Sequence, residues 1–159
     1  ASNCGKYSSN RLRKCPVTCG SPSPPPPGPP SPSQPCTGHT FSDCPARPCL
    51  LDTAVTEYNS NATLAIETYG PIACWNVSGV TDMSTLFLAK TTFNADITGW
   101  DVSRVTSMAK MFQGARAFNQ PLSWDTSRVT DMSFFFFFAA NFNQPLILDT
   151  SSVTNMVAM

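Results

Sequence analysis

Residues 100–133 read WDVSRVTSMAKMFQGARAFNQPLSWDTSRVTDMS, and the phrase that opens this stretch returns, nearly unchanged, at its end. Working outward, Trp75, Trp100, Trp124 and Leu148 stand 25, 24 and 24 residues apart. The other apolar positions fall into line with them. Val80, Val105, Val129 and Val153 share a column, as do Met83, Met108, Met132 and Met156. Leu86, Met111 and Phe135 form the next, then Phe87, Phe112 and Phe136, then Phe93, Phe118 and Phe142. Such a period is a solenoid signature within the leucine-rich-repeat range. One coil cannot bury its own apolar face, whereas stacked coils share a continuous core.

Within a coil, S-x-V-T suits a short strand, because a β-branched pair is flanked by small polar residues. Met83, Leu86 and Phe87 stand at i, i+3 and i+4, the spacing of a helical turn, with a Thr or Asp nearby to cap it. Pro121 and Pro145 would each remove a ladder bond, so F-N-Q-P-L is expected to be an extended turn. Asn94, Asn119 and Asn143 should stack as a ladder that satisfies neighbouring backbone. Before the first coil, Leu51, Ala54, Val55 and Tyr58 mark one face of a helix. A second helical piece over about residues 62–69 should end at Gly70-Pro71. The expected fold is an α/β solenoid of leucine-rich-repeat-like coils over 75–159, with an N-terminal helical cap.

Upstream the composition changes abruptly. Residues 1–20 form a basic arm with Cys4, Cys15, Cys19, four bases and no acid. Residues 21–35, SPSPPPPGPPSPSQP, hold nine prolines: Pro22, Pro24, Pro25, Pro26, Pro27, Pro29, Pro30, Pro32 and Pro35. Proline lacks an N–H and has a fixed φ, so this block should be a polyproline II rod of roughly 46 Å. A plain spacer is one reading. Contiguous Pro and Ser-Pro also resemble hydroxyproline-rich wall glycoproteins of algae and plants, a resemblance that implies hydroxylated, O-glycosylated prolines; proline-rich ligands of SH3-type domains look similar. Residues 36–74 then combine a Cys-rich loop with the helical cap.

The charges cancel over the whole chain, ten basic against ten acidic, so nothing recruits nucleic acid or an anionic membrane. The longest obvious apolar run, 134–140, is seven residues, well short of the ~18 that a membrane span needs. There is no initiator Met and no charged-then-apolar leader, so a processed chain is expected. Seven cysteines among few charges point to an oxidising compartment outside the cell. Cys36, Cys44, Cys49 and Cys74 follow the rod and can close two bridges. A Cys49–Cys74 bridge would staple the cap to the first coil, worth ~3 kcal/mol. Three cysteines precede the rod, leaving one for an intermolecular bond or a free thiol.

Little in the sequence suggests catalysis. His39 lies between Cys36 and Cys44, but zinc wants four ligands at tighter spacing, and disulfides account for the cysteines better. No phosphate loop, nucleophile elbow or paired His-Glu motif occurs. Asp101, Asp125 and Asp149 form one column, and Asp82 and Asp131 another. Stacked carboxylates could suggest a calcium line or a glycosidase pair. They recur with the period beside turn residues, however, and an active site is normally unique. No catalytic residue, metal or cofactor is expected. Asn61-Ala-Thr and Asn76-Val-Ser are N-glycosylation acceptors.

From residue 50 onward these repeats resemble the BspA-like surface-protein repeat, a leucine-rich-repeat relative of bacterial surface lipoproteins, diatoms and other microalgae. The segment LLDTAVTEYNSNATLAIETYGPIACW is similar to the helical cap that precedes the first coil in algal members. The resemblance implies a cell surface or extracellular matrix and no enzymatic activity. The 134–138 run of Phe departs from the pattern; Phe134, Phe137 and Phe138 lie off the core columns, suggesting a surface covered by another chain. Two functions follow as expectations. The first is an extracellular structural glycoprotein that polymerises head to tail, its interface including Val153, Met156 and those three phenylalanines. The second is a surface recognition or adhesion module that binds glycan or protein through its solenoid face. The first is favoured, because residues 1–35 carry net +4 and the remainder net −4, and the last coil carries no polar cap.

Overall fold

The computed structural model describes residues 36, 38–41 and 49–159. Two short helices lead into the repeats. Helix α1, Leu50–Ser60, buries Leu51, Ala54 and Val55, and the Asp52 carboxylate accepts the Cys49 N–H at its start (2.7 Å). Helix α2, Ala62–Tyr69, is capped by the Asn61 side chain, which accepts from Leu64 N–H (3.2 Å), and ends at Gly70 with φ of 75°. Both match the cap expected from the apolar spacing and from the Gly-Pro stop. A single 3-10 turn, Ile72–Cys74, delivers the chain to Trp75.

Beyond the cap the expected α/β solenoid is not what the chain forms. Among the described residues there is no β-strand and no sheet, and no helix follows Cys74. The repeats are instead chains of turns, touching through isolated parallel bridges such as Asp82 to Ser107, Ser107 to Asp131 and Asp131 to Asn155. Leucine-rich-repeat-like strands and helices are therefore absent from these coils.

Two local effects explain the difference. The first is side-chain competition for the backbone. Where S-x-V-T was expected to extend, the preceding Asn or Asp captures the Ser N–H two residues on: Asn76 from Ser78, Asp101 from Ser103, Asp125 from Ser127, Asp149 from Ser151. That Asx geometry bends the chain. A backbone bond then closes each turn, Val80 N–H to Val77 O, Val105 to Val102, Val129 to Thr126. The second effect is a left-handed residue where a helix would need a right-handed one. Thr85, Lys110, Phe134 and Ala158 hold φ between 50° and 60°, as do Ala89 and Phe138, while Gly114 stands at 71°. Met83 opens this stretch, with Asp82 taking the Ser84 N–H (2.8 Å).

The consequence is an alternating backbone. N–H groups of Met83, Thr85, Phe87 and Ala89 donate forward to the carbonyls of Ser107, Ala109, Met111 and Gln113, at 2.8–2.9 Å. The N–H groups between them, on Leu86, Leu88 and Lys90, bond back within their own coil to Met83, Thr85 and Phe87. The next coil repeats the pattern, with Met108, Lys110, Phe112 and Gly114 donating to Asp131, Ser133, Phe135 and Phe137. From Met83 to Lys90 every backbone donor is satisfied without a helix or a strand.

The apolar columns are buried all the same through the first two coils and, in the third, at Trp124, Val129, Met132 and Phe135. Phe136, Phe142, Leu148 and Val153 are half-buried and Met156 is exposed. Val80, Met83, Phe87, Val105, Met108, Phe112, Val129 and Met132 are each 0 % exposed. Rings stack along the columns: Phe87 on Phe112 at 5.1 Å, Phe112 on Phe136 at 5.5 Å, Phe93 on Phe118 at 5.9 Å. Each tryptophan N–H reaches back to an earlier carbonyl, Trp100 to Ile72 and Trp124 to Ile97. The Asn column forms a ladder: Asn94 accepts the Asn119 N–H and Asn119 accepts that of Asn143, both at 2.9 Å.

Candidate modification and assembly sites

The leading end of the stack is covered by the segment 38–41, which pairs in parallel with the first coil through Thr40 and Asn76. His39 N–H donates to Tyr69 O, Phe41 N–H to Asn76 O, and Asn76 N–H to His39 O. Phe41 is buried 5.0 Å from the Trp75 ring, and His39 packs 4.9 Å from Phe41. A side chain at Gly38 would run into the Cys74 backbone, so only glycine passes there. The spacing of Thr40 and Phe41 offered no periodic signal for this strand-like addition, since it lies outside the repeats.

A disulfide joins Cys36 to Cys74, with Cα atoms 5.1 Å apart. The Cys49–Cys74 staple is therefore not formed; Cys74 instead holds the covering segment in place. Cys49 is also disulfide-bonded. With Cys36 oxidised, a Cys36–His39–Cys44 metal site has lost a ligand, and no group of three or more potential metal ligands occurs among the described residues. Cys4, Cys15, Cys19, Cys44 and the nine prolines of residues 21–35 lie outside the described residues.

Asn61 and Asn76 are both exposed. Each uses only its Oδ1 inside the fold, Asn61 to cap α2 and Asn76 to accept from the Ser78 N–H and hydroxyl. N-glycosylation occurs at Nδ2, so a sugar at either site leaves these bonds intact. Between the end of α1 and the first coil lies an open groove of about 380 Å³, lined by Tyr58, Asn59, Ala62, Thr92, Phe93, Asn94 and Ala95. Thr92 Oγ1 donates to Asn59 Oδ1 across it (3.4 Å).

On the flank of the third coil, Phe134, Phe137 and Phe138 form a ridge. Phe134 meets Phe137 edge-on at 5.5 Å, Phe137 and Phe138 lie 4.2 Å apart, and Phe138 is 69 % exposed. Lys110 stands 5.8 Å above the Phe134 ring. Val153 is half-buried and Met156 exposed. The structure thus gathers the three phenylalanines into one surface and leaves Val153 and Met156 on the following coil.

The carboxylate columns serve the turns. Hydrogen bonds from the Ser103 side chain and backbone hold Asp101 below the ordinary carboxylate range, against burial and the nearby Asp125. Ser127 does the same for Asp125, and Ser151 for Asp149. At Asp131 burial pushes upward, but bonds from Ser133 and Asn155 outweigh it. These are ionised turn acceptors. Among the described residues no helix is long and apolar enough to cross a membrane.

Stacked turn-built coils, a disulfide-tied cover at one end and periodic turn carboxylates define a repeat protein. The chain belongs to the family described as Mycoplasma protein of unknown function, DUF285, which matches residues 53–159. No curated protein and no solved structure matches it.

Proposed function

We propose that this chain is a non-enzymatic extracellular structural glycoprotein, a subunit of a head-to-tail filament in a cell wall or surface appendage. The observation that carries the reading is the direction of the stack. Alternate N–H groups of 83–89 and 108–114 donate forward, whereas Thr106, Ala117 and Thr130 donate back to the preceding coil, so the two faces of a coil are different surfaces. A contact between unlike faces that does not close generates an open filament. The Phe134–Phe137–Phe138 ridge, with Val153 and Met156, offers apolar surface for the neighbouring subunit. The net +4 of residues 1–35 against net −4 of the remainder favours attachment of one subunit's arm to the next.

The likeness of the repeats to BspA-like surface repeats supports a place outside the cell, as do the disulfides and the two acceptor sequons. The hydroxyproline-rich likeness of residues 21–35 supports O-glycosylation there. Deleting residues 1–35 tests the reading: filaments should shorten or vanish in sedimentation while the coils stay folded by circular dichroism. Assembly equal to that of the full chain would set the filament aside in favour of a surface recognition module.

A further inference from the structure

We infer that the groove between α1 and the first coil is the seat of the first sugar of a glycan on Asn61. This inference rests on the glycoprotein reading and names what that glycan does. Asn61 adjoins Ala62 and stands two residues after Asn59, both of which line the groove. Its Oδ1 is occupied by Leu64 N–H at the start of α2. The amide nitrogen, which would carry the sugar, is then the atom left free to turn toward the groove wall.

The lining suits a pyranose. At about 380 Å³ the groove lies within the range of small-molecule sites, ~300–1,000 Å³, and is open enough for a tethered ring to enter. Tyr58 presents an aromatic surface held edge-on by Trp75 and Phe93, at 6.1 and 6.3 Å, so its plane is set before any sugar arrives. Sugar C–H groups pack on such faces, while hydroxyl and acetamido groups need polar partners at the edge. Asn59 and Thr92, bonded to one another, and the exposed Asn94 supply these. Asn76 does not line this groove; its side chain accepts from Ser78 and its backbone pairs with His39 and Phe41. The two sequons are thus unequal, one glycan docked and the other free. A docked sugar would bridge helix α1 to the first coil, where Lys90 Nζ already donates to Thr56 Oγ1 (3.1 Å).

The test is made on the full chain secreted from a host that N-glycosylates. Thr63→Ala removes the sequon but keeps the Asn61 cap of α2; Asn61→Gln removes both. Intact mass reports occupancy, and amide hydrogen exchange over residues 56–62 and 92–95 reports docking. With Asn61 occupied, exchange there should be about five-fold slower than in Thr63→Ala, one net hydrogen bond's worth. The protection should survive enzymatic trimming to a single N-acetylglucosamine, and Asn76→Gln should leave it unchanged. An occupied Asn61 with exchange equal to Thr63→Ala overturns the docking and leaves the glycoprotein reading standing. A bare Asn61 in the mass spectrum overturns the docked glycan and, if Asn76 is bare too, N-glycosylation altogether.

Discussion

At the scale of single residues, the left-handed columns hold the most unusual chemistry. Ala89, Gly114 and Phe138 hold φ of 55°, 71° and 60°, and only one of them is glycine. An L-residue in that region costs roughly 1–2 kcal/mol, against about 0.5–1 kcal/mol of extra chain entropy lost by glycine. Ala89→Gly, at an exposed site with no packing to lose, should therefore stabilise by about 0.5–1 kcal/mol in chemical denaturation. Gly114→Ala should destabilise by about 1 kcal/mol, even though its Cβ would meet Ala89 at an ordinary 3.6 Å. The opposite signs at equivalent positions would isolate backbone strain from packing. In the core, Met108→Ala and Phe112→Ala should each cost about 2–5 kcal/mol, because both are fully buried among stacked neighbours. The carboxylates titrate with a definite sign. Asp101, Asp125, Asp131 and Asp149 are held low when folded, so their contribution is present above the unfolded value of about 3.9 and is lost as pH falls through the folded values. Thermal midpoints should be flat from neutral pH down to about pH 5 and drop below about pH 4. Asp125→Asn, which keeps an acceptor for Ser127, should lessen that drop.

At the scale of elements, the Cys36–Cys74 bridge and the 38–41 cover act together. Closing a 38-residue separation removes about 4 kcal/mol of unfolded-chain entropy by the loop-closure estimate. Cys36→Ser with Cys74→Ser should lower stability by up to that amount, and should also expose Phe41 and Trp75, read as increased indole quenching. What the sequence made legible divides along the same line. Column burial, the Asn ladder and both cap helices follow from spacing alone, because burial depends on which positions recur, not on backbone conformation. Strand and helix inside the coil were misread for a physical reason. S-x-V-T and M-x-x-L-F carry the propensities of strand and helix, but Asp and Asn side chains at fixed offsets capture the backbone first, and the left-handed Thr85, Lys110 and Phe134 carry no glycine to announce them. The groove at Tyr58 and Thr92 was likewise invisible, since its walls come from segments 34 residues apart that no motif connects.

For the whole molecule, the coils build a directional object. The forward-facing donors come from one stretch of each coil and the backward-facing donors from others, and the covered end, sealed by Phe41 and the helices, differs chemically from every coil that follows. Direction, an aromatic flank and a charge division between arm and body are the ingredients of a subunit that adds to its own kind. Negative-stain electron microscopy of the native, disulfide-intact chain across a concentration series tests this most directly. The account predicts unbranched filaments with a single repeat along their axis, lengthening as concentration rises. Uniform single particles at every concentration, confirmed as monomers by sedimentation, would contradict it.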